Sequence, residues 1–271
     1  MARMRSVLVV ILFGAIVIFA GGVTPAHAIN CGDTLGPGGQ FQLQQDLDCS
    51  ASFQTALTVK DGAILDLNGH IVTCGPVTVE CIALTGAGAQ LLDGALRGGF
   101  HVGLAVRGIG GHTVKNVTSS TALDDNVIVT SDNNRLINVM AAGVFAQAFA
   151  IHGNNNQLSD SIAQCFNLTF TSCINVIGDE NRLVDNFVTS TGSLAGLSIA
   201  GNNNVVRRNR AIRNGGGGFE GGIVVSGTGN DLRHNTALEN SPFDLQDTNG
   251  DCVHNTWKFN TFQTADPACI Q

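Results

Sequence analysis

Ser198-Ile199-Ala200-Gly201-Asn202-Asn203-Asn204 is a β-rich run that meets a glycine and then three asparagines. A β-rich run that meets Gly or Asp and then an Asn-bearing turn recurs in Ile128-Val129-Thr130-Ser131-Asp132-Asn133-Asn134, Ala150-Ile151-His152-Gly153-Asn154-Asn155-Asn156, Asn175-Val176-Ile177-Gly178-Asp179-Glu180-Asn181 and Val224-Val225-Ser226-Gly227-Thr228-Gly229-Asn230. Gly and Asn tolerate the left-handed backbone that a sharp corner needs. Asn can also hydrogen-bond its own backbone across a turn, and stacked Asn side chains can pair amide to amide. A second series starts at Asn68, Gly94, Asn116, Asn138, Asp160, Asn186, Asn209, Asn235 and Asn255, on average about every 23 residues. Strand-like runs follow most of them, such as Phe187-Val188-Thr189 and Thr236-Ala237-Leu238. A fixed period of this length marks one supersecondary unit stacked on itself.

One such unit cannot bury a core alone, so neighbouring units must supply strand pairing, burial between layers and polar ladders. No unit holds an apolar 3.6-residue pattern long enough for a helix, and the leucine-rich frame is missing. The expected fold is all-β: a single-stranded parallel β-helix of about eight to nine coils, with two or three short strands per coil and closed ends. Two inward columns follow from the turns. Ile151, Ile199, Val225 and Leu245 precede the Asn corner, and Val114, Leu136, Leu158, Leu183, Val205 and Leu232 follow it. Asp160, read as stacked between Asn138 and Asn186, is expected to accept hydrogen bonds from neighbouring amides, since a buried unpaired carboxylate is costly.

The first 28 residues read as a separate object. Arg3 and Arg5 precede the apolar run Val7–Ala20, and Ala26-His27-Ala28 fits a small-x-small cleavage site. That is the pattern of a secretory signal peptide, leaving 29–271 as one β-helix domain; the rival is an uncleaved anchor. The run is short for a membrane span, and no other stretch in 29–271 is long and apolar enough to make one. The chain carries 14 Lys and Arg against 21 Asp and Glu, for a formal charge of −7. This argues against nucleic acid as a partner, whose binders carry a basic footprint. The eight cysteines are an even number, and export permits disulfides. Eight cysteines allow roughly 105 pairings, but local spacing favours Cys31–Cys49, Cys74–Cys81, Cys165–Cys173 and Cys252–Cys269. The first and last of these stand at the two ends of the array. No CxxC pair and no His at ligand spacing accompanies them, so no metal is expected there.

The segment Asp61-Gly62-Ala63-Ile64-Leu65-Asp66-Leu67-Asn68-Gly69-His70-Ile71-Val72 resembles the opening coil of right-handed parallel β-helix repeat proteins of the pectin-lyase-like superfamily. So do the lead-in Cys31-Gly32-Asp33 through Asp46-Leu47-Asp48-Cys49 and the Gly-Asn-Asn-Asn and Asn-Asn-Arg-Leu turns. The resemblance spans about residues 30 to 260. It implies a right-handed coil and, for members with an activity, work on polysaccharide at the outer face of one sheet. It does not imply an activity for this chain, because the superfamily holds lyases, hydrolases and proteins without known catalysis.

Three constellations are candidates for chemistry. Asp124-Asp125, with His152 one coil later and Arg107 one coil earlier, offers a carboxylate pair and a base for glycosidic hydrolysis. The pair resembles the Asp-Asp of polygalacturonases, and His152-Gly153 resembles their His-Gly. The Asn-Thr-Asp, the Gly before the His and the Arg-x-Lys of that pattern are missing. The plainer reading is a turn carboxylate pair and a His that closes a strand. The second constellation is basic: Lys115, Arg208, His234 and His254 as one column, with Arg207, Arg210, Arg213 and Arg233 nearby. Outward guanidinium forks suit the carboxylate or sulfate groups of an anionic glycan. The plainer reading is a solvated turn face balanced by Glu220, Asp231 and Glu239. The third is Asp247-Thr248-Asn249-Gly250-Asp251, whose oxygens suggest calcium. An EF-hand frame would need Gly at Cys252 and Glu at Lys258, so no cofactor is expected and calcium is the alternative.

Three functions stay open: an exported, non-catalytic β-helix that presents its surface to an anionic polysaccharide; a polysaccharide lyase or glycoside hydrolase of the pectin-lyase-like type; or a surface scaffold without a sugar ligand. One Trp and no Tyr make poor sugar platforms, although 14 Phe are present.

Overall fold

The computed structural model describes residues 28–98, 101–120, 122, 124–144, 146–166, 171–192, 195–215 and 221–271. The expected signal peptide, apart from Ala28, and Glu220 lie outside the described residues. The chain is an all-β parallel solenoid of about nine turns, with no helix among the described residues. Eleven parallel strands, from Thr34–Leu35 to Ala265–Asp266, form the first face. Ten parallel strands, from Gln40–Gln42 to Thr256–Lys258, form the second. A third face starts at Leu47–Cys49 and Ile71–Cys74 and ends with Arg210–Ile212 and Thr236–Leu238.

The core lies inside the coil. On the first face Val59, Leu84, Val106, Val129, Ile151, Val176, Ile199 and Val225 stack in one buried column. Asp247, not Leu245, continues this column; Leu245 stands two residues earlier, under Ile223. On the second face Leu65, Leu91, Val114, Leu136, Leu158, Leu183, Val206, Leu232 and Trp257 form the facing column. Val206 therefore replaces the expected Val205, which points outward. Strand alternation explains the correction: the inward residue always stands two beyond the corner Asn, because one residue's slip turns a side chain to the other face.

The corners explain the asparagines. Between the first and second faces, Gly38, Gly62, Gly88, Gly111, Asn133, Asn155, Glu180, Asn203 and Gly229 all have positive φ. The next residue turns inward, and there Asn134, Asn156, Asn181, Asn204, Asn230 and Asn255 form a buried ladder. From Asn134 to Asn230, each backbone N–H donates to the Oδ1 of the Asn one coil later, at 2.8–2.9 Å. The same corner stacks backbones tightly: a Cβ on Gly201 would lie 2.0 Å from the carbonyl oxygen of Gly178.

The corner between the second and third faces corrects the period as read from the sequence. The nine positions taken as one series belong to three columns. Asn68, Asn116, Asn138 and Asp160 have positive φ, in register with Asp93, Asp185, Arg208, His234 and Phe259. Asn186, Asn209 and Asn235 come one residue later and, with Ser161 and Asn260, form a second buried ladder. Gly94 shares that column through Val117 and Val139, while Asn255 belongs to the first ladder. Asp160 is exposed at the left-handed position, so it is not a buried rung. The confusion has a physical source: Asn serves both the left-handed backbone and the buried amide rung, and only pairing between coils separates the two roles.

All four expected disulfides are formed. Cys31–Cys49 and Cys252–Cys269 lie near the two ends, where a stack exposes unpaired strand edges. No helix among the described residues is long and apolar enough to cross a membrane.

Candidate functional site

Strand alternation puts two outward columns on the second face. One runs Thr113, Arg135, Gln157, Arg182, Val205, Asp231 and Thr256. The other runs Lys115, Ile137, Ser159, Val184, Arg207, Arg233 and Lys258. The left-handed corner column beside them carries Asp185, Arg208, His234 and Phe259. The last coils therefore gather Arg207, Arg233 and Lys258 in one row and Arg208 and His234 in the next.

The sequence-derived basic column is thus regrouped. Lys115 shares the row of Arg207 but stands four coils away, with Ile137, Ser159 and Val184 between them. His254 is at the other corner, where its Nδ1 meets Asp251 Oδ1 at 2.8 Å. Arg210 lies on the third face, its guanidinium 5.7 Å from the centre of the Phe187 ring. His234 stacks on Phe259, with ring centroids 5.1 Å apart and planes within 15°. Phe187 and Phe259 were not singled out in the sequence. Their signal is positional, since they fall in the columns of Arg210 and Arg208 once the coil register is known.

Charge pairing on this face is uneven. Arg208 grips Asp185 with both forks, Nε at 2.7 Å and Nη2 at 2.6 Å. That bond holds the Asp185 carboxyl below its ordinary range and pushes the Arg208 guanidinium up. Arg213 donates to Glu239 at 2.6 Å. Arg207 and Arg233 both donate to Asp231. Burial pulls the Asp231 carboxyl up, but the two guanidiniums outweigh it and leave it below the usual value. Two cations thus share one carboxylate. The Arg207 Nε is buried and has no hydrogen-bond partner.

Asp124, Asp125 and His152 are not joined by hydrogen bonds to one another. Asp124 Oδ2 pairs with His101 Nδ1 at 3.0 Å. Asp125 Oδ1 accepts the Gln147 N–H at 2.9 Å. Burial raises the Asp125 carboxyl; the Gln147 bond lowers it, Asp124 raises it and His152 lowers it, and the balance stays upward. The two aspartates stand before the strand Val127–Val129, and exposed His152 ends the next strand, Phe149–His152. Arg107 lies two coils before His152, with Thr130 between them, and is bound to Glu80. Arg107 thus stands one coil before, and His152 one coil after, the strand that follows the two aspartates, the spacing expected from the sequence.

The Asp247–Asp251 loop spends its carboxylates on structure. Asp247 is 2% exposed and accepts from Asn255 Nδ2 and Trp257 Nε1, both at 3.0 Å. Asp251 takes His254 and the Val253 N–H. No group of three or more His, Cys, Asp or Glu side chains able to hold a metal is found among the described residues.

No family model and no curated protein matches the chain. Among solved structures it is similar to the crystal structure of pectate lyase Pel9A, with TM-score 0.44 and 12% identity over 88% of this chain and 71% of that one. It is also similar to the crystal structure of Dettilon tailspike protein (gp208), with TM-score 0.42 and 11% identity over 82% of this chain and 52% of that one. The chain thus spans about half of the tailspike chain.

Proposed function

We propose that this chain is an exported β-helix protein whose second face binds an anionic polysaccharide without turning it over. One observation carries the reading: Arg207 and Arg233 share the single carboxylate of Asp231, so this end of the face keeps net positive charge in a chain whose formal charge is −7. The unpartnered Arg207 Nε, the neighbouring Lys258 and the exposed His234–Phe259 stack support it. Guanidinium forks suit carboxylate and sulfate, and a stacked ring pair offers an apolar plane to a sugar. The rungs repeat about every 4.8 Å along the stack, close to the length of a pyranose in an extended chain. The disulfides are compatible with export, as is the leader-like segment before Ile29.

The test is purified protein against polygalacturonate, alginate and sulfated glycans. The reading expects salt-sensitive binding and no release of reducing or unsaturated ends. Binding should weaken when Arg207 and Arg233 are both changed to Gln. A second reading, polysaccharide hydrolysis or elimination, is favoured by the raised Asp125 carboxyl, a property suited to a general acid. Product release that disappears in Asp125→Asn would establish it in place of the first. No binding to any of these glycans would leave the scaffold reading.

A further inference from the structure

We propose a separate oxyanion site on the second face, built by Arg135, Gln157 and Arg182 over the first asparagine ladder. It is meant for one sulfate or carboxylate group, and it stands whether or not the Arg207–Arg233 end holds a polymer. Arg135, Gln157 and Arg182 are consecutive in one outward column. They rim a hollow of about 240 Å³ that Asn133, Asn134, Asn155 and Asn156 complete. The two guanidiniums leave the sheet two rungs apart, about 10 Å at the usual strand spacing. An oxyanion seated over Gln157 is within reach of both forks. Unlike Arg207, Arg208, Arg213 and Arg233, neither arginine is held in an ion pair among the described residues. No carboxylate lines the hollow. Of the acids at this corner, Asp132 and Asp179 each commit an oxygen to a backbone N–H, of Asn154 and Asn202. Glu180 is exposed and outside the lining, and Asp185 acts on Arg182 only through space.

The floor supplies an independent observation. In later coils the ladder amide donates back to a carbonyl of the preceding coil: Asn181 to Gly153, Asn204 to Gly178, Asn230 to Gly201. The equivalent acceptor for Asn156 is the Ser131 carbonyl, which already takes Asn134 Nδ2 at 2.8 Å. Asn156 is 2% exposed, and its Nδ2 is left without a partner. A buried donor without an acceptor is costly; this one faces the stacked backbone of Ser131 and Gly153, and Asn156 is part of the lining of the hollow. The lining thus offers two guanidiniums and several side-chain amides and no carboxylate, a set that suits an oxyanion.

The test is a ¹H–¹⁵N titration of the whole protein with inorganic sulfate, chloride being withdrawn to hold ionic strength constant, and a parallel titration with galacturonate. The proposal expects saturable shifts of the Asn156 and Gln157 side-chain amides and of the Arg135 and Arg182 Nε–H signals. Affinity should fall about tenfold in Arg135→Gln or Arg182→Gln, each the loss of a charge-assisted contact. Both side chains are exposed, so unchanged melting should confirm that the variants fold. Saturation by sulfate alone or galacturonate alone would support the site and name its anion. Unsaturated drift with both anions, or saturation that persists in the Arg135→Gln/Arg182→Gln double variant, would overturn it. So would shifts that vanish only in Arg207→Gln/Arg233→Gln. Glycan binding that fails while the sulfate response remains would count against the polysaccharide reading alone.

Discussion

His112 shows how one residue ties the stack to pH. It is fully buried in the column that later coils fill with Asn. Its Nδ1 lies 3.0 Å from the Ala89 N–H and must accept that bond. Its Nε2, 3.0 Å from the Arg107 carbonyl, donates. Burial holds the imidazole below its ordinary pKa, against the raising effect of the Arg107 and Ala89 contacts. The unfolded chain takes up a proton near about pH 6.5, before the native one does. This group's share of stability is therefore present above about pH 6.5 and lost as pH falls below it. His112→Asn should flatten the fall in melting temperature between about pH 7 and pH 5 relative to the parent chain. An equal acid slope in both proteins would show that His112 does not carry the effect.

At the scale of the element, the ladders have direction. Each rung donates its backbone N–H and one Nδ2–H toward the C-terminal end, gives the other Nδ2–H back to a carbonyl of the preceding coil, and receives on Oδ1 from that coil. The last coil thus ends in unspent N–H groups, which call for an acceptor without a donor. Asp247 supplies it for the first ladder, taking Asn255 Nδ2. Asp244, 1% exposed, supplies it for the Asn214–Asn240 pair on the third corner, taking both the N–H and Nδ2 of Asn240. Asp247→Ala would strand the Asn255 and Trp257 donors, at a cost of about 2–4 kcal/mol. Hydrogen exchange should then rise in the last two coils and not in the first. Asn209→Ala, in the middle of the second ladder, removes the acceptor for Asn186 and the donor to the Leu183 carbonyl. It should also cost about 2–4 kcal/mol, read by urea unfolding followed by circular dichroism.

At the scale of the whole molecule, arginine is unevenly spread along the second face. The second face collects arginine toward its C-terminal coils while the chain as a whole is acidic. If this end holds an anionic glycan, Arg207→Gln/Arg233→Gln should reduce the dependence of binding on salt as well as its strength, because fewer charged contacts remain to be screened. Melting should change little, since surface ion pairs contribute about 0–1 kcal/mol. A loss of binding accompanied by loss of fold would remove that interpretation.

The candidate site was only partly legible. Four arginines between Arg207 and Arg213 stand out in a chain with 13% charged residues. Their partners, Asp185, Asp231 and Glu239, lie 23 to 26 residues from Arg208, Arg207 and Arg213 and become neighbours only when coils stack. The Arg135–Arg182 pair was equally hidden, since its members are 47 positions apart and meet through Gln157.

The sequence alone determined that this chain winds: a period of about 23 residues with corner-tolerant Gly and Asn leaves each unit no partner except the next one. It also carried the four cysteine pairings, because each is local along the chain. Only the tertiary structure decided the phase. Asn138 and Asn186 are the same letter in one apparent series, yet the first is an exposed left-handed corner and the second a buried rung. Backbone pairing between coils sets that difference, and a one-residue shift in it decides which side chains meet the core and which meet a ligand.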